Sequence, residues 1–235
     1  MKSLTRILFA AALLLFVKNS FAYTVQDRHL TGFSAIQLSA SYDVYITQGG
    51  SESVKVEAPD DIINHIATEV QSGTLKIYSK GEHGWSGWNL NGHKKMVVYV
   101  EVRNLNSISI SGSGDVFFKD GITAPSLKIK VSGSGDVLGK LNVKTLEAAI
   151  SGSGDVKLSG RADNAAVSLS GSGDYSARDL VTASTAVRVS GSGDAVVNAS
   201  QKIDASVSGS GDIRYTGEAK QISSDSHGSG EIHRL

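Results

Sequence analysis

The chain has no cysteine and only 2 prolines among 235 residues, and aromatic side chains make up just 6% of it. Without cysteine there is no disulfide framework, no thiolate metal site, no cysteine nucleophile and no N-terminal cysteine to carry a lipid. The scarcity of aromatics calls for a core of small aliphatics and argues against a large aromatic-lined enzyme cavity. Neither sign of charge prevails, since 23 Lys and Arg stand against 23 Asp and Glu. A nucleic-acid binder normally carries a basic excess. What is abundant is glycine, with 26 residues, which supplies the backbone freedom for many tight corners. The length suits one large domain or two small ones with a packed core.

Residues 1–22 read as a secretory signal peptide. Lys2 and Arg6 make a basic start, Ile7 to Val17 form an unbroken apolar run, and Ser20 and Ala22 offer small residues for cleavage before Tyr23. The run has 11 residues, about half of the roughly 20 a membrane-spanning helix requires. Removing Lys2, Arg6 and Lys18 leaves 20 basic against 23 acidic residues, a net charge of −3. The expectation is an exported chain in the periplasm, at the outer membrane or outside the cell, with no transmembrane segment in its mature part.

Residues 23–235 read as one domain, divergent over 23–105 and regular over 106–235. In the regular part Ser-Gly-Ser-Gly-Asp begins at Ser111, Ser132, Ser151, Ser170, Ser190 and Ser208, and a degenerate copy runs from His227 to Glu231. The spacings are 21, 19, 19, 20, 18 and 19 residues. Such a period marks stacked units that bury their apolar faces against one another. An upstream echo, Ser39-Ala-Ser-Tyr-Asp43, keeps the serines and the acid without the glycines.

Aligning the copies on the acid exposes a two-residue periodicity. Five residues before it stand Ile110, Val131, Ile150, Leu169, Val189 and Val207, and one after it stand Val116, Val137, Val156, Tyr175, Ala195 and Ile213. Both rows share one parity, which is the period of a strand. Coils of about twenty residues at ~3.3 Å per residue have a perimeter near 60 Å, room for two or three short strands. The predicted fold is all-β, a right-handed parallel β-helix, its hand following from the preference of parallel crossovers. Within the motif the glycines fall on the inward parity, and the serines and the acid on the outward one. Either the strand runs straight through, or a glycine with positive φ makes a corner and resets the parity. Parity alone favours the unbroken strand.

In the divergent part, Phe33 to Leu38, Asp43 to Thr47, Val54 to Glu57, Thr74 to Tyr78 and Met96 to Val102 read as strands. Ile62, Ile63, Ile66 and Val70 fall at helical spacing just after Pro59, which predicts one short amphipathic helix over Asp60 to Val70. That helix would plug an end of the solenoid or form a surface insertion. His83, Trp85, Trp88 and His93 lie in a Gly- and Asn-rich loop holding both tryptophans of the chain. The indoles are candidate partner-binding anchors, or else covers for the solenoid. His83 and His93 lack an evident third metal ligand.

The Phe33-x-x-Ile36-x-Leu38 and Asp43-Val-Tyr-Ile-Thr-Gln-Gly49 opening, the Gly73-Thr-Leu-Lys-Ile77 strand and the serial Ser-Gly-Ser-Gly-Asp copies resemble the putative autotransporter-adhesin, head GIN domain family of exported bacterial proteins. The likeness covers about Gly32 to Ile232. It implies a β-helix of the cell envelope with no assigned biochemical activity, and no membrane-barrel segment follows the repeats within this sequence.

The acids Asp115, Asp136, Asp155, Asp174, Asp194, Asp212 and Glu231 are expected to stack as a ladder at the ~4.8 Å spacing of strands. Serine hydroxyls and backbone N–H groups would compensate their mutual repulsion, which makes the ladder structural. Calcium is the alternative compensator, and the chain would then be a calcium-stabilised solenoid. A glycan-active, polysaccharide-degrading enzyme is a further alternative by fold analogy alone. An active site needs an acid and a base in different surroundings, whereas these acids are copies of one another. Arg161 with Asp163 and Arg178 with Asp179 are non-repeated pairs read as lying in turns. The expected function is therefore non-enzymatic and adhesin-like, binding an envelope or extracellular protein or a glycan. No catalytic residue, metal site, cofactor or nucleic-acid partner is assigned.

Overall fold

A computed structural model describes residues 23–81 and 96–235. Residues 1–22, read above as a signal peptide, and His83, Trp85, Trp88 and His93 lie outside the described residues. The divergent part contains β1 (Tyr23–Asp27), β2 (Ala35–Ser39), β3 (Asp43–Gln48), β4 (Ser53–Pro59), β5 (Ile66–Gln71), β6 (Thr74–Ser79) and β7 (Val97–Val102). The regular part contains β8 (Ser107–Ile110), β9 (Val116–Phe118), β10 (Ile122–Val131), β11 (Val137–Gly152), β12 (Val156–Gly171) and β13 (Tyr175–Gly191). It closes with β14 (Ala195–Gly209), β15 (Ile213–Thr216), β16 (Gln221–Gly228) and β17 (Ile232–Arg234).

From β8 onward all pairings are parallel and each coil lies on the preceding one. Ile108 faces Ile129, which faces Ala148, then Val167, Val187 and Ala205. The fold is a parallel β-solenoid. All six of these side chains are buried, as are the two rows that flank the motif from Ile110 to Val207 and from Val116 to Ile213. Each Val, Leu or Ile among them gains about 1.5–3 kcal/mol from leaving water, and no coil could collect that gain without its neighbours.

The Ser-Gly-Ser-Gly-Asp motif is a corner, which corrects the unbroken strand favoured by parity. Strand β11 ends at Gly152 and β12 begins at Val156, and Gly152 takes φ +155°. The parity nevertheless survives, because Ile150 and Val156, both buried, stand an even number of positions apart across the corner. Crowding between coils accounts for the second glycine. A Cβ on Gly154 would lie 2.2 Å from the carbonyl oxygen of Gly135 in the coil below.

The divergent coils do not stack in chain order. Strand β2 pairs with β6 on one edge and β8 on the other, and β3 likewise lies between β7 and β9. The chain thus lays its second coil outside its first before returning to build the regular stack. The Ser39–Asp43 echo occupies the corner beneath the first full motif, where Gly114 donates its N–H to the Ala40 carbonyl at 3.0 Å.

The short helix expected over Asp60 to Val70 is absent. A 3-10 turn covers Ile63–His65, and Ile66–Gln71 form β5, antiparallel to β6. The pattern was ambiguous, since Ile66, Thr68 and Val70 also alternate and their β-branches favour a strand. The decision comes from the partner: Ser72 and Gly73, at φ +50° and +75°, make a two-residue hairpin loop that folds β5 back on β6. The segment still packs against the solenoid, with Ile62, Ile63 and Ile66 buried in its core. Arg28 secures it by donating to the carbonyls of Ile63 at 2.9 Å and Ile66 at 3.3 Å.

The last coil is finished differently. Strand β16 pairs with β14 on one edge only. Serines 224 and 226 stand where earlier coils place buried Ala205 and Val207. The buried apolar rows of the earlier coils thus give way to exposed serines in β16.

Candidate functional site

The acids form the ladder that their spacing predicts, and its chemistry is specific. The backbone N–H of each acid is donated to Oδ1 of the acid one coil earlier: Asp136 to Asp115 at 2.9 Å, Asp155 to Asp136 at 2.8 Å and Asp174 to Asp155 at 2.9 Å. The series continues through Asp194, Asp212 and Glu231. In return the carbonyl of each acid accepts the N–H of the residue that follows the previous acid, as in Val137 to Asp155 at 2.9 Å. The corner thus closes a ring of hydrogen bonds between coils through the side-chain acceptor that follows its second glycine. Near the end, Arg214 donates to Oδ2 of both Asp194 and Asp212, at 3.0 and 3.2 Å.

The Glu231 N–H, aided by the Arg214 guanidinium, holds the Asp212 carboxyl below its ordinary pKa of 3.8. A depressed folded-state pKa stabilises the fold above the unfolded value, and that contribution disappears as pH falls through the folded one. Asp212→Asn is therefore expected to flatten the decline of melting temperature on acidification below about pH 4, read by thermal scans across pH. An unchanged acid limb would count against this coupling.

Among the described residues, no group of three or more His, Asp or Glu side chains could hold a metal ion. Arg161 with Asp163 and Arg178 with Asp179 lie in strands β12 and β13, not in turns.

Two outward features were not anticipated. Tyr99, Tyr45 and Phe117, on neighbouring strands β7, β3 and β9, stack with ring centroids 5.9 and 4.9 Å apart, and the Lys119 ammonium lies 5.6 Å from the Tyr45 ring. Tyr45 and Phe117 each stand two residues after an acid, so the alignment on the acids contained this signal. Further along the same outward row lies a groove of about 650 Å³, lined by Leu138, Lys140, Lys157, Arg178, Val196 and Arg214 among others. It crosses strands β11 to β15.

A β-bulge shapes the groove. Lys157 pairs with Ser176 but Ser159 pairs with Asp179, so β13 holds one extra residue there. Arg178 and Asp179 both face solvent in succession as a result. On the other edge of β13 the register between Ser176 and Val181 shifts again, and the Asn198 side-chain amide donates to the carbonyl of Arg178 at 2.9 Å. The signal was present in the motif spacings, where 20 residues and then 18 interrupt a run of 19.

The fold and these corners define a class of protein: a parallel β-solenoid whose coils are joined by glycine-rich, acid-closed corners. The chain belongs to the family described as "Putative auto-transporter adhesin, head GIN domain", which matches residues 32–219. Among solved structures it is similar to a putative adhesin from Bacteroides fragilis, with 30% identity and a TM-score of 0.85, over 92% of this chain and 98% of that one. A putative lipid binding protein from Parabacteroides distasonis shares the fold at 24% identity and TM-score 0.72, over 92% and 98% of the two chains. A putative adhesin from Parabacteroides merdae does so at 19% and 0.71, over 92% and 97%. None of the curated proteins matches.

Proposed function

We propose that the chain is an exported, non-enzymatic binding protein of the bacterial cell envelope, adhesin-like, that presents its solenoid surface to an envelope or extracellular protein or to a glycan. The observation that carries this reading is the equivalence of the acids. Each inter-coil step of the ladder has an acid's backbone N–H bound to Oδ1 of the acid before it, so the prominent carboxylates serve the backbone. Acid and base catalysis instead needs carboxylates whose surroundings set them apart. The likeness to the Bacteroides fragilis protein supports the same reading.

A glycan array and a pull-down from envelope extracts, both with residues 23–235, test it. Retention of a partner or glycan without cleavage is expected, and release of new reducing ends from a bound polysaccharide would overturn it in favour of an enzyme. The two indoles remain our proposed anchors for a protein partner, because aromatic rings offer large contact area for little lost side-chain entropy. Trp85→Ala with Trp88→Ala is expected to leave circular dichroism unchanged and to remove most partner binding in the pull-down. Loss of the fold would identify the indoles as covers for the solenoid.

A further inference from the structure

We propose that the groove across β11 to β15 is a binding site for an acidic glycan chain laid along the solenoid axis. This rests on the reading of the chain as a binding protein and specifies one ligand class and its place.

Charge is the first observation. The groove is lined by Lys140, Lys157, Arg178 and Arg214 against a single acid, Asp179, on a chain whose formal charge is zero. Arg214 is already engaged by Asp194 and Asp212. Lys140, Lys157 and Arg178 make no ion pair among the described residues, and all three are exposed. They come from three successive coils, β11, β12 and β13, each about 4.8 Å further along the axis, in a zigzag rather than one column, since Lys157 lies opposite Leu138 and Lys140 lies opposite Ser159. A ligand with a single charge would meet one of them. A polymer whose charges recur along its length would meet each in turn.

Shape is the second. The groove spans five strands, about 20 Å at that spacing, which is the reach of an extended chain. Leu138 and Val196 give apolar surface within the row that also holds Lys157, Ser176 and Arg214, and Leu235 lies at one end. Those apolar patches suit the C–H faces of sugar rings. The groove is only partly enclosed, so it would leave part of an acyl chain in water, and that disfavours a lipid, whose affinity depends on burying each methylene. The bulge is the third observation. It breaks the regular coil at this place and sets Arg178 and Asp179 next to each other on the outward face.

The test is a binding titration of residues 23–235 with oligogalacturonate, a heparin oligosaccharide, neutral dextran and phosphatidylglycerol vesicles. Two variants accompany the native sequence. One replaces the groove cations (Lys140→Gln, Lys157→Gln, Arg178→Gln), and the other removes as much charge elsewhere (Lys130→Gln, Lys144→Gln, Arg161→Gln). The expected result is binding of at least one acidic glycan but not dextran, weakening as salt rises, and reduced at least tenfold by the groove variant alone. Lys157→Gln and Arg178→Gln singly serve if the triple variant fails to fold. Equal weakening by both triple variants would overturn the site, since overall charge would then suffice. Binding to vesicles and to no glycan would overturn the ligand class, as would binding to none of the probes. A groove variant that still retains its partner in the envelope pull-down, without acidic-glycan binding by the native chain, would sink the groove while leaving the binding function intact.

Discussion

Gly154→Ala is expected to lower the melting temperature by about 6–12 °C, the equivalent of about 3 kcal/mol at ~2–4 °C per kcal/mol for a chain of this size. The added Cβ would stand 2.2 Å from the Gly135 carbonyl oxygen and 2.9 Å from Val131 Cγ1. The first of these cannot move aside. The Gly135 carbonyl is fixed backbone in a corner, and its neighbour Gly133 already accepts N–H groups from Ser153 and Gly154 at 3.0 and 3.2 Å. Gly154 has no positive φ, so the whole effect is steric and the comparison is clean. Ser153→Ala, one residue away with its side chain exposed, is expected to shift the transition by no more than about 2 °C. Equal shifts for the two substitutions would show that the coils stand further apart at the corner than these contacts require.

Ile150→Asp is expected to be more damaging still, costing on the order of 4 kcal/mol or preventing folding altogether. Ile150 lies between Val131 and Leu169 in the aliphatic stack and is 2% exposed. A carboxylate there has no donor to accept from and must either stay ionised in an apolar column or take up a proton. Lys157→Asp, on the outward parity of the next coil, is expected to cost less than about 1 kcal/mol. Chemical denaturation of both variants decides the matter, and similar losses would contradict the inward and outward assignment of the two rows.

The corner shows how far sequence reading reached and where it stopped. Counting residues from the acid located both inward rows correctly, because alternation across a strand is a local property of the chain. It favoured a straight strand through the motif because the even spacing from Ile150 to Val156 fits either path. The path was settled by the positive φ of the first glycine from Gly152 onward and by the neighbouring coil, whose carbonyls leave no room for a side chain at the second. Residues 60–70 present the same difficulty in another form. Their apolar spacing suits a helix, yet β6 offers a partner edge directly across the Ser72-Gly73 hairpin, and strand pairing won. The acid ladder was legible as a stack, but its donor was not, since each N–H comes from a residue 18 to 21 positions distant.

The sequence by itself determined the all-β class, the coil length, the inward rows and the family, because a repeated motif and a period of two are written in the order of residues. Only the tertiary structure decided the out-of-order stacking of β2 and β3 between later coils, the aromatic row of Tyr99, Tyr45 and Phe117, and the groove with Lys140, Lys157 and Arg178. Those features depend on which coil lies against which and on a one-residue bulge that shifts register between neighbours. The spacings of the motif carry the extra residue and the alignment carries the aromatic positions, but which side chains meet across coils is set by packing.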